Sequence, residues 1–322
     1  MTRTARRATR AIAVATALLV GLPSAAWAAS KPTVKTGSAI FITPTTVRLK
    51  GTINPNGAKT TYLFHYGTTT LYGTSTPITV AGNGTKAITV RANVRGLAPA
   101  TRYHYRLVAR NSKGTTSGSD RNFKTKNQPL ALSLVAKPNP VRFGRGTVLA
   151  GVLTGTGNAG RQIALQQRGS PFTQPFASVF NPLVADQQGR FVFQLLSVPV
   201  NTQYRVYLPS KPSVISPIVG VGVSPRITTR LSKTRVFTGG RVRFSGTIRP
   251  ARRGSRVVVQ RKRGDRWLFI ASTKSRGGGK NVSRYRLRVK IRRGGTFRVL
   301  VDSADDTYVT STGHSKRIRR RF

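Results

Sequence analysis

Short segments in which apolar and polar residues alternate recur along the chain, and they predict β-strands. The clearest segment spans residues 102–111. One of its faces carries Tyr103, Tyr105, Leu107 and Ala109, and the other carries His104, Arg106, Val108 and Arg110. This period of two is typical of a half-buried antiparallel strand. A turn around Pro99 precedes the segment, so we expect the Tyr103 hydroxyl to bond back to the preceding backbone, as in the tyrosine corner of a β-sandwich.

Residues 29–126 contain more segments of this kind and are predicted to form one β-sandwich module. Apolar residues alternate from Val47 to Ile53, from Tyr62 to Tyr66 and from Ile88 to Val94. The turn-forming residues Asn54-Pro55-Asn56-Gly57 separate the first two segments. Phe123 and Thr125 close the module.

The motif around Pro99 resembles the fibronectin type III family. The matching positions are Leu97, Pro99, Thr101, Tyr103, Tyr105, Leu107, Ala109, Asn111, Gly114 and Phe123-Lys124-Thr125. The segments 51–57 and 62–67 look like the variant found in secreted actinobacterial proteins. The resemblance implies structural roles for Leu97, Pro99, Tyr103 and Tyr105. The buried Trp that is usual on the second strand of this family is missing, with Gly51 near its position, and we expect Tyr62, Phe64 and Tyr66 to fill the space.

Residues 127–223 and 224–322 are predicted to be two copies of a second module, because short motifs recur 93 to 95 residues apart. The paired motifs are Phe143…Gly146…Val148…Gly151 with Phe237…Gly240…Val242…Gly246, with a one-residue slip, Ile163–Gln166 with Val257–Gln260, Gly189–Phe193 with Ser283–Leu287, and Tyr204–Val206 with Phe297–Val299. The shared pattern resembles the Ig-like modules of bacterial surface and secreted proteins. Short, proline-containing joints near residues 126–129 and 222–225 predict modules in a row with limited flexing.

Composition supports an all-β fold and excludes several kinds of chemistry. The chain has no Cys and no Glu, and its six acidic residues are all Asp. Without Cys it can form no disulfide, no thiolate metal site and no cysteine nucleophile. The sequence shows no glycosidase-like acid pair, no Ser-His-Asp set within one module and no phosphate-binding loop between a strand and a helix. We therefore predict no catalytic residues, no cofactor and no enzyme activity.

Residues 1–28 have the pattern of a cleaved secretory signal. A positive region with Arg3, Arg6, Arg7 and Arg10 is followed by the apolar run 11–22 and by Ala26-Trp27-Ala28, a small-x-small cleavage motif. We expect a secreted, extracellular protein without a membrane-spanning segment after cleavage; association with the cell wall is left open.

The strongest functional feature lies in residues 224–322, which contain 29 basic and 4 acidic residues. Apolar and cationic residues alternate strictly from Arg284 to Arg292. On a strand, the cations would follow each other at about 6.5 to 7 Å along one face. The predicted ladder consists of Arg284, Arg286, Arg288, Lys290 and Arg292. We expect it to be extended by Arg241, Arg243, Arg256, Arg261 and Arg298, and by a cationic tail that includes Arg319, Arg320 and Arg321.

Such a ladder favours binding to a repeating polyanion, through release of counterions. The expected partner is an anionic wall polymer or an acidic polysaccharide, and nucleic acid would bind only non-specifically. The alternative for the ladder is a solvated face in a chain whose Arg content reflects composition. The alternative function is a carbohydrate-binding or adhesion accessory protein that recognises neutral glycan or protein through exposed aromatics, for which the candidates are Tyr72, Trp267 and Tyr308.

Other motifs are better explained structurally. Arg263-Gly264-Asp265 is expected to cap a hairpin, which disfavours an integrin-type partner. His65 and His104 are expected on the outer faces of neighbouring strands, with no evident carboxylate nearby, so no metal site is predicted. Asp302, Asp305 and Asp306 are expected to form a solvated turn or to balance nearby arginines.

Overall fold

The structure is a computed structural model that describes residues 28–302 and 305–321. Within these residues the chain forms strands, turns and loops and no α-helix, and no helix suited to crossing a membrane is found there. The predicted signal segment lies outside the described residues, except for Ala28. The chain divides after Lys126 into two compact units.

The first unit is built from nine strands. They are β1 Thr33–Thr36, β2 Thr46–Asn54, β3 Thr60–Gly67, β4 Thr74–Ser75, β5 Thr79–Gly82, β6 Ile88–Arg95, β7 Arg102–Asn111, β8 Gly114–Ser117 and β9 Arg121–Lys124. One sheet has the order β1-β2-β6. The other has the order β4-β3-β7-β8, with β5 also paired to β3 and β9 to β7.

The predicted alternation in β7 is confirmed, because Tyr103, Tyr105 and Leu107 are buried between the sheets. The Tyr103 hydroxyl accepts a 2.9 Å hydrogen bond from the N–H of Ala98, five residues upstream. The hydroxyl of Tyr105 donates to the carbonyl of Gly37 at 2.7 Å. These two tyrosines thus tie the start of β7 to both the preceding turn and the opposite sheet.

Packing around Gly51 differs in part from the expectation. A Cβ built on Gly51 would lie 2.5 Å from Cδ2 of Leu107, so it is the side chain of Leu107 that occupies the space over this glycine. Tyr62 and Phe64 are buried in the same core. Leu97 is also buried there, and the Pro99 carbonyl accepts a hydrogen bond from the Thr101 hydroxyl in the turn before β7.

The second unit contains two sets of strands that follow each other along the chain. The first set is β10 Ala131–Leu132, β11 Val135–Lys137, β12 Val141–Arg142, β13 Thr147–Thr154, β14 Gln162–Gly169, β15 Ala177–Val184, β16 Arg190–Leu195, β17 Thr202–Leu208, β18 Lys211–Ile215, β19 Val219–Val221 and β20 Val223–Ser224. The second set is β21 Arg226–Ile227, β22 Arg230–Leu231, β23 Arg235–Val236, β24 Arg241–Arg249, β25 Arg256–Arg263, β26 Arg266–Lys274, β27 Arg276–Gly277, β28 Ser283–Lys290, β29 Gly295–Val301, β30 Ser311–Thr312 and β31 Lys316–Arg320.

The two sets repeat one topology. In the first set β13 pairs with β16, and β14 lies between β15 and β17. In the second set β24 pairs with β28 in the same way, and β25 lies between β26 and β29. Each set has its own hydrophobic cluster. The fold class predicted from the sequence, tandem all-β sandwiches, is confirmed.

One detail of the predicted repeat is wrong. Val148 was paired with Val242, but Val148 is 40% exposed whereas Val242 is fully buried. The buried counterpart of Val242 is Thr147. Pairing these two residues also pairs Leu149 with Phe244, the next buried residue on each strand. In a strand with a period of two, a slip of one residue moves a side chain to the opposite face.

The loop after β29 links the two strand sets of the second unit. Asn201, which precedes β17, donates from its backbone N–H to the carbonyl of Thr307 at 2.8 Å and from Nδ2 to the carbonyl of Asp306 at 2.7 Å. Its Oδ1 accepts from the N–H of Val223 at 2.7 Å. Tyr308 packs edge-on against Phe143, with 6.3 Å between the ring centroids. This joint is made by side-chain packing as well as by a short linker.

Candidate functional site

A cationic face covers the outer side of the sheet that contains β24 and β28. Along β28, Arg284, Arg286, Arg288 and Lys290 are exposed, while Tyr285 and Val289, which alternate with them, are buried. Along β24, Arg241 and Arg243 are exposed in the same manner. The alternation in the sequence therefore places these six cations on one surface.

The register of the sheet sets cations directly opposite each other. Arg241 pairs with Lys290 and Arg243 with Arg288, so β24 and β28 place like charges opposite each other in two cross-strand pairs. Directly opposed like charges destabilise a sheet. Arg230 on β22 and Arg276 on β27 continue the face to its two sides, next to Ser245 and Arg284 respectively. This face repels itself unless an anion compensates the charge.

Hydroxyl groups lie between the cations at one end of this face. Thr247 is opposite Arg284, and Ser245 is opposite Arg286. These four residues line a groove of about 1050 Å³. Its cations are Arg230, Lys274, Arg276, Arg284, Arg286 and Lys316, and its hydroxyl groups include those of Thr228, Thr229, Ser245, Thr247 and Thr273. Guanidinium groups and hydroxyls together can donate to phosphate, sulfate, carboxylate and sugar oxygens.

Several residues expected on this face lie elsewhere. β28 ends at Lys290, so Arg292 lies in the turn that follows and does not extend the strand. Arg256, Arg261 and Arg298 belong to β25 and β29 in the other sheet of the module. Arg319 and Arg320 lie on β31, which also pairs with that sheet, and Arg321 follows it. The strands β25, β29 and β31 thus belong to the opposite layer of the sandwich, and Arg292 lies outside both sheets.

Acidic residues of this module are placed away from the cationic face. Asp265 lies at the turn between β25 and β26, in the other sheet. Asp302, Asp305 and Asp306 lie in the loop that follows β29. Asp305 accepts a hydrogen bond from Arg252 at 3.0 Å, as expected for local charge balance. Burial acts to raise the pKa of this carboxyl, but its hydrogen bonds to Thr307 and Arg252 together outweigh that effect and lower the pKa. Asp305 thus neutralises Arg252 near the joint between the two strand sets and not a cation of the cationic face.

The sequence alone did not identify the whole face. Its strands also carry Arg226, Arg230, Arg249 and Arg276, which the predicted ladder does not include. A signal existed for Arg249, which continues the alternation of Arg241 and Arg243 at the end of β24. Arg230 and Arg276 lie on two-residue strands that carry too little alternation to reveal their sheet.

The expectation that His104 has no carboxylate nearby is wrong. Its Nδ1 lies 2.9 Å from Oδ2 of Asp120, and the other oxygen of this carboxylate accepts from the Tyr72 hydroxyl at 2.9 Å. His65 stacks on the ring of Tyr72 at 6.2 Å. Burial, together with the nearby charge of Arg106, lowers the pKa of His65. In the described ranges no group of three or more metal-binding side chains is found.

The aromatics proposed for neutral-glycan recognition are already engaged within the chain. Tyr72 is covered by Arg106, whose guanidinium carbon lies 4.8 Å from the ring centroid. Trp267 is covered by Arg298 at 4.2 Å. Tyr308 packs against the other strand set and under Arg252 at 4.9 Å. All three side chains are half-buried rather than exposed, so the expectation of free aromatic platforms is wrong for these residues.

The Arg263-Gly264-Asp265 triplet does cap a hairpin. Arg263 ends β25 and pairs with Arg266 at the start of β26, which leaves Gly264 and Asp265 as the two-residue turn. The φ of Gly264 is +56°, a conformation that glycine adopts without strain. Ordinary turn chemistry therefore explains this sequence.

Comparisons with known proteins identify no family for this chain. No family model and no curated protein matches. Among solved structures, a segment of consecutive titin domains is 13% identical with a TM-score of 0.36, covering 90% of this chain and 99% of that one. The FN1–FN3 domains of chicken CNTN1 are 14% identical with a TM-score of 0.29, covering 91% and 99%. The tetra-tandem repeat in the extending region of a large adhesion protein is 14% identical with a TM-score of 0.30, covering 89% and 74%. The fibronectin type III assignment stays a prediction from the motif.

Proposed function

We propose that the protein is a secreted, non-enzymatic binding or spacer protein that holds an anionic polymer on the cationic face of its C-terminal module. Wall polymers and acidic polysaccharides are the expected partners. The motif-based division into modules 29–126, 127–223 and 224–322 is part of this proposal. The secretory pattern of residues 1–28 supports a location outside the cell.

The observation that carries the proposal is the register between β24 and β28. Arg241 opposite Lys290 and Arg243 opposite Arg288 create repulsion within the folded module, and the described acids of this module lie in other places. A repeating anion relieves this repulsion and releases its own counterions into solution. A merely solvated basic surface would gain nothing from placing cations in direct cross-strand pairs.

The test compares two triple charge reversals in the whole protein. The first replaces Arg286→Glu, Arg288→Glu and Lys290→Glu on the face. The control replaces Lys262→Glu, Arg263→Glu and Arg266→Glu on the hairpin of the opposite sheet, with the same change in net charge. Retention on immobilised heparin in a salt gradient is the measurement.

We expect the face variant to elute at a much lower salt concentration than the control variant. Equal elution of the two variants would mean that total charge, and not this face, determines binding. Circular dichroism on both proteins confirms that the sheets are retained. The face reversal is expected to fold, because it removes the like-charge pairs of Arg243 with Arg288 and of Arg241 with Lys290.

A further inference from the structure

A second cavity in the C-terminal module differs in chemistry from the cationic face. It is a cleft of about 510 Å³ between β26 and β28, the neighbouring edges of the two sheets. Its apolar lining consists of Phe269, Ile270, Ala271, Val289, Ile291 and Phe297. Its volume lies in the range of small-molecule sites, about 300 to 1,000 Å³.

The floor of the cleft is part of the hydrophobic core. Val289, Ile291 and Phe297 are almost completely buried, so the accessible apolar surface of the cleft comes mainly from Phe269, Ile270 and Ala271. Phe269 also lines the cleft; it is 57% exposed, and the guanidinium carbon of Arg256 lies 5.9 Å from its ring centroid. Covering a half-exposed aromatic side chain with an apolar group removes apolar surface from water, which is favourable.

The rim of the cleft is cationic. It is formed by Arg261, Arg288, Lys290, Arg292 and Arg293, and no described acidic residue lines the cleft. Arg292 lies beyond the end of β28 and is not part of the cationic face, but it is part of this rim. An apolar floor under a ring of cations is complementary to a molecule that carries an apolar body and an anionic end group.

We propose that this cleft binds a single amphipathic anion, with an acyl chain on the floor and a phosphate, sulfate or carboxylate group on the rim. A hydrated polymer has no apolar part to cover Phe269. An extended acidic peptide is matched by the rim cations alone and leaves the apolar lining of the cleft uncovered. The acyl anion satisfies both the floor and the rim.

The test is calorimetric titration of the whole protein with decyl phosphate below its critical micelle concentration. The cleft is blocked by Ala271→Trp and its mouth is changed by Phe269→Ser. The matched control is Phe180→Ala, which changes a 65% exposed phenylalanine outside the cleft. Decyl maltoside carries the chain without the charge, and inorganic phosphate carries the charge without the chain.

We expect one saturable site for decyl phosphate, at least about tenfold weaker binding in Ala271→Trp, several-fold weaker binding in Phe269→Ser, and no change beyond about twofold in Phe180→Ala. Decyl maltoside and inorganic phosphate should each bind at least about tenfold more weakly than decyl phosphate. Wild-type affinity in a folded Ala271→Trp protein, equal affinity for inorganic phosphate, or displacement by an acidic peptide at lower concentrations would overturn the proposal.

Failure here is distinguishable from failure of polymer binding. Arg284→Glu with Arg286→Glu changes the cationic face and not the lining of the cleft. This double variant should lose heparin retention and keep the affinity for decyl phosphate. Ala271→Trp should show the opposite pattern.

Discussion

The guanidinium Nε of Arg298 donates a hydrogen bond at 2.8 Å to Oε1 of Gln260 on the neighbouring strand. In the preceding strand set, Arg205 makes the same 2.8 Å bond to Gln166. Each arginine also lies over an aromatic ring, Arg298 over that of Trp267 at 4.2 Å and Arg205 over that of Phe176 at 4.1 Å. A Gln–Arg–aromatic stack is therefore repeated in the two strand sets, and in the second set it lies on the sheet opposite to the cationic face. Arg298 serves packing, which explains why an arginine of the alternating pattern is not available to a polymer.

Replacing the glutamine of this stack should weaken the module. Gln260→Leu removes the acceptor of the half-buried Arg298 guanidinium and should lower the free energy of unfolding by about 1 to 2 kcal/mol. Urea denaturation of the wild type and the variant gives this difference. Gln194→Ala, at an exposed position of β16, is the control and should change stability by less than about 0.5 kcal/mol. A loss no larger than that of the control would show that the stack does not stabilise the fold.

Gly246 should tolerate no side chain. A Cβ at this position would lie 1.8 Å from the Thr228 carbonyl oxygen and 2.7 Å from the Tyr285 hydroxyl. We expect Gly246→Ala to destabilise the protein by about 2 kcal/mol or more, because backbone must move. At Gly277 nothing lies within 4 Å of such a Cβ, so Gly277→Ala should be nearly neutral. Thermal unfolding of both variants measures the contrast, and equal melting temperatures would contradict it.

Tyr285 should make stability sensitive to alkaline pH. Burial raises the pKa of its phenol from about 10 to about 12, against the opposing effect of the bond with Thr229. Since the folded state favours the neutral phenol, the stabilisation is complete below pH 10 and is lost as the pH rises from about 10 to about 12. Its full size is about 3 kcal/mol.

Comparison with Tyr285→Phe isolates this contribution from that of other titrating groups. The difference in unfolding free energy between wild type and Tyr285→Phe should be constant between pH 7 and 9, and should shift in favour of the variant above pH 10. A difference that does not change with pH would show that the phenol titrates alike in the folded and unfolded states. The wild-type hydroxyl also donates to the Thr228 carbonyl at 2.7 Å, so the variant is expected to be less stable at neutral pH.

Asn201 should couple the two strand sets of the second unit. Asn201→Ala removes the side-chain bonds to Asp306 and Val223, and should cost about 2 kcal/mol. Calorimetry should show a lower melting temperature and a broader transition, as the two hydrophobic clusters unfold less cooperatively. Asn122→Ala on β9 is the control. An unchanged, single sharp transition in Asn201→Ala would mean that this joint does not couple the clusters.

Periodicity alone predicted most of the long strands and the cations of the face that lie on β24 and β28. Apolar residues alternate with polar ones around Tyr103 and Tyr105, and with cations around Arg286 and Arg288. Because a strand has only two faces, this alternation predicts which side chains point outward. The offset between Gln166 and Gln260 likewise revealed the repeated topology. Such local signals are sufficient wherever a single strand supplies the whole feature.

What the sequence did not show depends on which strands become neighbours. Arg298 and Arg243 follow the same alternating pattern, yet their strands belong to opposite layers of the sandwich. The carboxylate beside His104 comes from Asp120, sixteen residues away in a loop with no periodicity. The cleft under Phe269 arises where two sheet edges meet, a juxtaposition that no single segment encodes.

Affinity for one acidic polysaccharide, measured over a series of salt concentrations, shows whether the cationic face holds an anionic polymer by charge. We predict that the logarithm of the association constant falls steeply and linearly with the logarithm of the salt concentration, and that the slope becomes shallower when Arg286, Arg288 and Lys290 are replaced by Glu. Retention on a neutral polysaccharide at high salt, or the same slope in the wild type and the variant, would show that this face does not bind a polyanion by charge.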